Sequence, residues 1–207
     1  GYPYHQIFTA PNAVAPRPRH DLPERGRQYM LGRPTVLFVG RLQMRKRVDD
    51  LIRACATLPP LLQPFLRVVG DGPCYRELKA LADEIYPDAR FYGAQFGSDL
   101  EKRFREADLF VLPGTGGLAV QQAMSYGLPV IVGVSDGTQS ELVREENGWI
   151  LPDAGVETLA NHIETALNDV GRLREMGRAS YRIVREEVNL ENMVEVFQRA
   201  ILSVLKE

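Results

Sequence analysis

Residues 113–130 read PGTGGLAVQQAMSYGLPV. Behind the apolar run DLFVL at 108–112, they divide into a glycine-rich turn, an apolar-periodic helix and a second strand. Gly114, Gly116 and Gly117 let the backbone approach a ligand closely where that helix begins. Unpaired N–H groups and the positive end of the helix dipole suit such a turn to phosphate. A second stretch, GRLQMRKRVDDLIRA from Gly40, comes after another strand-like run and supplies cations. Together the two stretches suggest a grip on a nucleotide diphosphate.

Strand-like runs recur at 35–39, 65–69, 89–92, 108–112, 129–132 and 148–151. Most are short, rich in Val, Leu and Phe and without alternation, as expected of strands covered on both faces. Between them, Val48, Leu51, Ile52 and Cys55 share one helical face, and Leu78, Leu81, Ala82 and Ile85 another. This alternation predicts an α/β fold: a doubly wound, Rossmann-like parallel sheet of about six strands with right-handed crossovers. After Leu151 only helical patterns remain, at 156–167, 170–186 and 190–205. The Pro and Arg cluster at 16–27 reads as a loop or linker.

With 207 residues the chain can bury a sizeable core, and 44% apolar against 25% charged residues is ordinary for a soluble globular protein. A net charge of −2 gives no field that would draw nucleic acid or a membrane surface. Cys55 and Cys74 sit in amphipathic helical patterns without metal-type spacing, and read as buried thiols of a reducing compartment. No apolar run is long enough to span a bilayer and no signal-peptide pattern is present, so the expected location is cytoplasmic. The start, GYPYHQIFTA, lacks an initiator Met and carries apolar residues in want of partners, which reads as a fragment of a longer protein.

Arg41 falls just past a strand end, where open α/β sheets bind ligands, and Lys46 stands at the approach to the next helix. A planar guanidinium and a flexible ammonium suit two phosphoryl groups, although Arg45 and Arg47 beside Lys46 also fit a merely solvated basic loop. GDGP at 70–73 follows another strand, as a turn or as a wall of the ligand crevice. Phe91, Tyr92 and Gly93 end the next, where an aromatic can border a nucleobase or pack in the core. Residues 114–119 also fit the dinucleotide pattern G-x-G-x-x-A, with Asp136 about 20 residues on. We set that reading aside. Pro113 precedes the first glycine, several strand–helix units come earlier, and Arg41 and Lys46 are left without a role.

The order and spacing of these segments resemble the donor-binding C-terminal half of the retaining family 4 (group 1) glycosyltransferases of GT-B fold. The matching features are PNAV at Pro11, GRLxxxK at Gly40, GDGP at Gly70, FYG at Phe91, ADLFVLP at Ala107, GL…AM…GLPVI at Gly117, GxxxSE at Gly137 and NGWIL at Asn147. In that family two glutamates with seven residues between them bracket the glycine turn, and here the aligned positions are Gly114 and Gln122. The resemblance assigns the first to donor-sugar hydroxyls and the second to the ribose. Gln122 keeps an amide for the ribose, whereas Gly114 has no side chain, so sugar recognition must differ or activity fall.

Carried over residue by residue, Arg41 and Lys46 neutralise the diphosphate as the catalytic cations. Gly40, Gly72 and Gly114 shape the pocket. The amides of Gly116, Gly117 and Leu118 bind phosphate, Gln122 meets the ribose, and Tyr92 or Gly93 borders the base. Glu141 matches a late family glutamate or serves as a helix cap; His5, His20 and His162 match no catalytic position.

The resemblance implies a nucleotide diphosphate sugar as donor substrate, no metal and no other cofactor, and no nucleic-acid partner. An acceptor saccharide or lipid-linked glycan would meet an N-terminal GT-B domain of the same full-length protein, which would also make any peripheral membrane contact. The domains are then an entry segment at 1–34, the nucleotide-sugar-binding domain at 35–187 and a docking C-terminal helix at 188–207. The alternatives are a nicotinamide-binding oxidoreductase domain and, because both glutamates are lost, a non-catalytic nucleotide-sugar-binding module.

Overall fold

The computed structural model describes residues 7–10, 12, 13, 17, 18, 22, 33–133, 138–153 and 155–205. The expected sheet is present. Strands β1 (Thr35–Val39), β2 (Phe65–Val69), β3 (Arg90–Phe91), β4 (Leu109–Leu112), β5 (Val130–Val132) and β6 (Gly148–Ile150) form one six-stranded sheet in the order β3-β2-β1-β4-β5-β6. Every pairing is parallel, with Thr35 opposite Phe65 and Val36 opposite Leu109. The helices are α1 (Val48–Thr57), α2 (Tyr75–Ile85), α3 (Gly97–Glu106), α4 (Leu118–Ser125), α5 (Thr138–Leu142), α6 (Val156–Asn168), α7 (Val170–Glu186) and α8 (Leu190–Val204).

Helices on both faces explain the unbroken apolar strands. Val36, Leu37 and Phe38 are successive and fully buried, as are Leu109, Phe110 and Val111. The sequence reading differs from the structure at two helices, α3 and α5, which it did not anticipate. In α3 only Phe104 is buried, but its ring stacks on Tyr126 at 5.3 Å and lies 6.4 Å from Phe110. One large apolar side chain thus anchors a helix whose other residues are largely charged. Cys55 and Cys74 are free and buried, and burial pushes the Cys55 thiol up to about 12.

The C-terminal helix α8 begins at a tight corner made by the buried Asn189, whose Oδ1 caps the N–H of Asn192 at 3.0 Å while Nδ2 donates to the Val184 carbonyl at 3.0 Å. None of its residues is buried, and Val194, Phe197, Ile201 and Leu205 are all exposed. From the N-terminal segment, Arg17 reaches it, the backbone N donating to Glu191 at 2.7 Å. No helix among the described residues is long and apolar enough to cross a membrane.

The two halves of the sheet meet at β1 and β4, and a reciprocal contact fixes where. Asp108 N donates to the Thr35 carbonyl at 2.9 Å, and Thr35 N donates to the buried Asp108 carboxylate at 2.8 Å. Asp108→Ala leaves that buried N–H without an acceptor and should cost about 1–3 kcal/mol in urea unfolding. An unchanged midpoint would show the pair to be dispensable.

Candidate functional site

A crevice opens beyond the carboxyl ends of β1 and β2, beside the point where the strand order reverses between β1 and β4. It measures about 690 Å³ and is walled by Gly40 and Arg41 after β1, by Gly70, Asp71 and Gly72 after β2, and by Gln122 from α4. The strand ends crowd one another. A Cβ on Gly70, at φ +143°, would stand 1.9 Å from the Gly40 carbonyl oxygen, so only glycine fits. Arg41 is exposed at this wall.

Lys46 is set by local geometry. A 3-10 turn, Met44–Lys46, closes through Arg47, whose φ of 56° and ψ of 41° are left-handed and uncommon for a residue with a Cβ. The Arg47 guanidinium is held by Asp50 at 2.7 Å. Lys46 then donates from Nζ to the Thr115 carbonyl, and Arg45 donates from Nη1 to Thr115 Oγ1 at 2.8 Å. Thr115 N in turn donates to the Arg45 carbonyl at 3.1 Å. The basic loop and the glycine turn are one interlocked unit.

Gly114 is the closest point of that contact. A Cβ there would lie 2.0 Å from the Arg45 carbonyl oxygen and 2.7 Å from Lys46 Cα. Beyond it, none of the described residues accepts a hydrogen bond from the N–H groups of Gly116, Gly117 or Leu118. These amides begin α4, whose dipole adds positive potential. Gln122 stands one turn further along, about 6 Å from Leu118 by helical rise. Its neighbour Gln121 points the other way, fully buried, donating to the Val188 carbonyl at 2.6 Å.

Of the residues singled out in the sequence, Gly40, Arg41, Gly72 and Gln122 line the crevice, while Lys46, Gly114, Gly116, Gly117 and Leu118 form the adjoining turn. Tyr92 and Gly93 lie behind the wall: the Arg103 guanidinium covers the Tyr92 ring at 4.2 Å, and Gly93 accepts the Gly70 N–H at 2.7 Å. The crevice face at that end is instead Ala94, Gln95, Phe96 and Leu100, with the Phe96 ring 81% exposed. The sequence reading missed these residues with α3, and a lone aromatic before Gly97-Ser98-Asp99 was the one signal for them. Glu141 is exposed on α5, and His162 is hydrogen-bonded to Thr158 of its own helix α6 at 2.7 Å. His5, His20, Pro11, Asp136 and Gly137 lie outside the described residues.

Gly114→Ala should force the turn off the basic loop, lowering unfolding free energy by about 1–3 kcal/mol. Denaturant unfolding checks this, and native stability in the variant would show that the close packing is not required.

The family described as glycosyl transferases group 1 matches residues 27–183. The D-inositol 3-phosphate glycosyltransferase of Salinispora tropica is 31% identical over 206 residues, covering 91% of this chain and 41% of that protein. A GDP-mannose-dependent alpha-mannosyltransferase of Corynebacterium glutamicum is 38% identical over 155 residues, covering 72% of this chain and 35% of that protein. Among solved structures, sucrose-phosphate synthase from Thermosynechococcus elongatus superposes with a TM-score of 0.74 at 27% identity, over 84% of this chain and 46% of that one. The chain belongs to the group 1 glycosyltransferase family and has the architecture of one half of a GT-B enzyme. It spans less than half the length of these relatives.

Proposed function

We propose, from that family membership, that the chain is the donor-binding half of a retaining family 4 glycosyltransferase and holds a nucleotide diphosphate sugar in the crevice at the carboxyl ends of β1 and β2 and at the adjoining glycine turn. The observation that carries the reading is the interlocking of two cation-bearing and amide-bearing segments at one sheet edge. Arg41 lines the crevice that Gln122 of α4 also lines, and Lys46 reaches the turn from which α4 starts. A diphosphate there meets two positive side chains and the N–H groups at the start of α4.

Charge grows on the diphosphate as the sugar departs, and these fixed groups stabilise it without reorganising. No metal is part of this reading. The ribose falls to Gln122, with Asp71 across the crevice, and the base to the end formed by Gln95 and Phe96, with Tyr92 and Gly93 behind. The acceptor, a saccharide or lipid-linked glycan, would be presented by an N-terminal half of the full-length protein. The exposed apolar face of α8 (Phe197 56% and Ile201 60% exposed) is the surface we assign to docking on that half. The chain alone would bind donor but transfer no sugar.

A second reading, a non-catalytic nucleotide-sugar-binding module, is favoured by Gly114. The Arg45 carbonyl occupies the space that a side chain there would need, so no carboxylate can be presented from this position. Assay of the full-length protein against a panel of donors separates the two, since turnover with any of them excludes the second.

Calorimetric titration with GDP, UDP and NADH tests the reading itself. A diphosphate nucleotide should bind, and Arg41→Ala should weaken it by about 1.5–3 kcal/mol through loss of a charge-assisted bond. Binding of NADH alone would overturn the proposal in favour of a nicotinamide domain.

A further inference from the structure

Gln139, on α5, has no part in the roles assigned so far. Its side chain is 2% exposed, and Nε2 donates to the Gly114 carbonyl at 2.9 Å. Its other polar atom, Oε1, is buried with no hydrogen-bond partner among the described residues. A buried acceptor left unpaired is costly, and an apolar side chain of similar length would fill the space without that cost. The one thing the amide does that an apolar chain cannot is hold Gly114 O.

That bond matters because Gly114 leads directly into the amides at the start of α4. The peptide between Gly114 and Thr115 is planar, with its C=O and N–H on opposite sides. Gln139 takes the carbonyl and the Arg45 carbonyl takes the N–H, so the plane is pinned from both sides. Lys46 takes the next carbonyl, that of Thr115. Two successive carbonyls, whose negative ends would repel an anion, are thereby turned onto donors just before the amides of Gly116, Gly117 and Leu118.

We propose that Gln139 is a positioning residue for diphosphate: by holding the Gly114 carbonyl it sets the glycine turn in the orientation that presents amides to the anion. This inference rests on the reading of the turn as a diphosphate grip, and adds a residue that does not touch the ligand.

The test uses the whole 207-residue chain and two variants, Gln139→Met and Gln139→Glu, with GDP, GMP, UDP and UMP as probes. Gln139→Met removes the donor together with the orphaned acceptor, so its thermal midpoint should equal or exceed that of the parent. Its affinity for whichever diphosphate binds should nevertheless fall about tenfold, the scale of one lost hydrogen bond, with the monophosphate changed far less. Gln139→Glu keeps size and polarity but sets an acceptor against the Gly114 carbonyl, and should lose at least as much diphosphate affinity.

A diphosphate-to-monophosphate affinity ratio equal to the parent's in either folded variant overturns the inference and leaves the donor-binding reading standing. A parent chain that binds neither GDP nor UDP overturns both. A lowered midpoint in both variants, with the ratio preserved in the folded fraction, assigns Gln139 to stability alone and also overturns it.

Discussion

The site depends on how closely the loop after β1 and the turn after β4 can approach. The strands pair directly, so their exits share one edge, but adjacency alone leaves two loops that need not touch. Contact requires a residue without a side chain. Gly114 supplies it, letting the Arg45–Lys46 backbone pass where a Cβ would otherwise stand. That contact seats Lys46 on the Thr115 carbonyl and Arg45 on its hydroxyl. A cation and a helix start are then held together by backbone packing, which loses little to solvent screening, rather than by exposed ion pairs.

The same contact fixes what the site cannot contain. A carboxylate at position 114 and the interlocked loop exclude one another sterically. On the proposed donor-binding reading, bare backbone at position 114 puts no negative charge beside the diphosphate and offers no side chain to the sugar hydroxyls.

Much of the architecture was legible because buried parallel strands leave an unmistakable trace. TVLFV and FLRVV have no alternation to obscure them, and β1 and β2 fall where those runs predict. Helices with a broad apolar face, such as α1, α2 and α7, were equally plain. Helix α3 was not, because a single buried Phe104 in a charged sequence carries no period. With it went Gln95 and Phe96, which line the crevice where Tyr92 does not. The edge strand β3 pairs over only two residues, since it has a partner on one side alone. Arg41 and the glycines of the turn could be placed by their distance from strand ends, and Gln122 by its match to the family motif, but the Gln139–Gly114 bond joins residues 25 apart in sequence and obeys no local rule.

The most direct measurement is the structure of this chain crystallised with GDP or UDP. The account predicts the diphosphate at the start of α4, within hydrogen-bond distance of the Gly117 and Leu118 amides and flanked by Arg41 and Lys46. A nucleotide bound with its phosphates elsewhere, or with both cations turned from them, would contradict it.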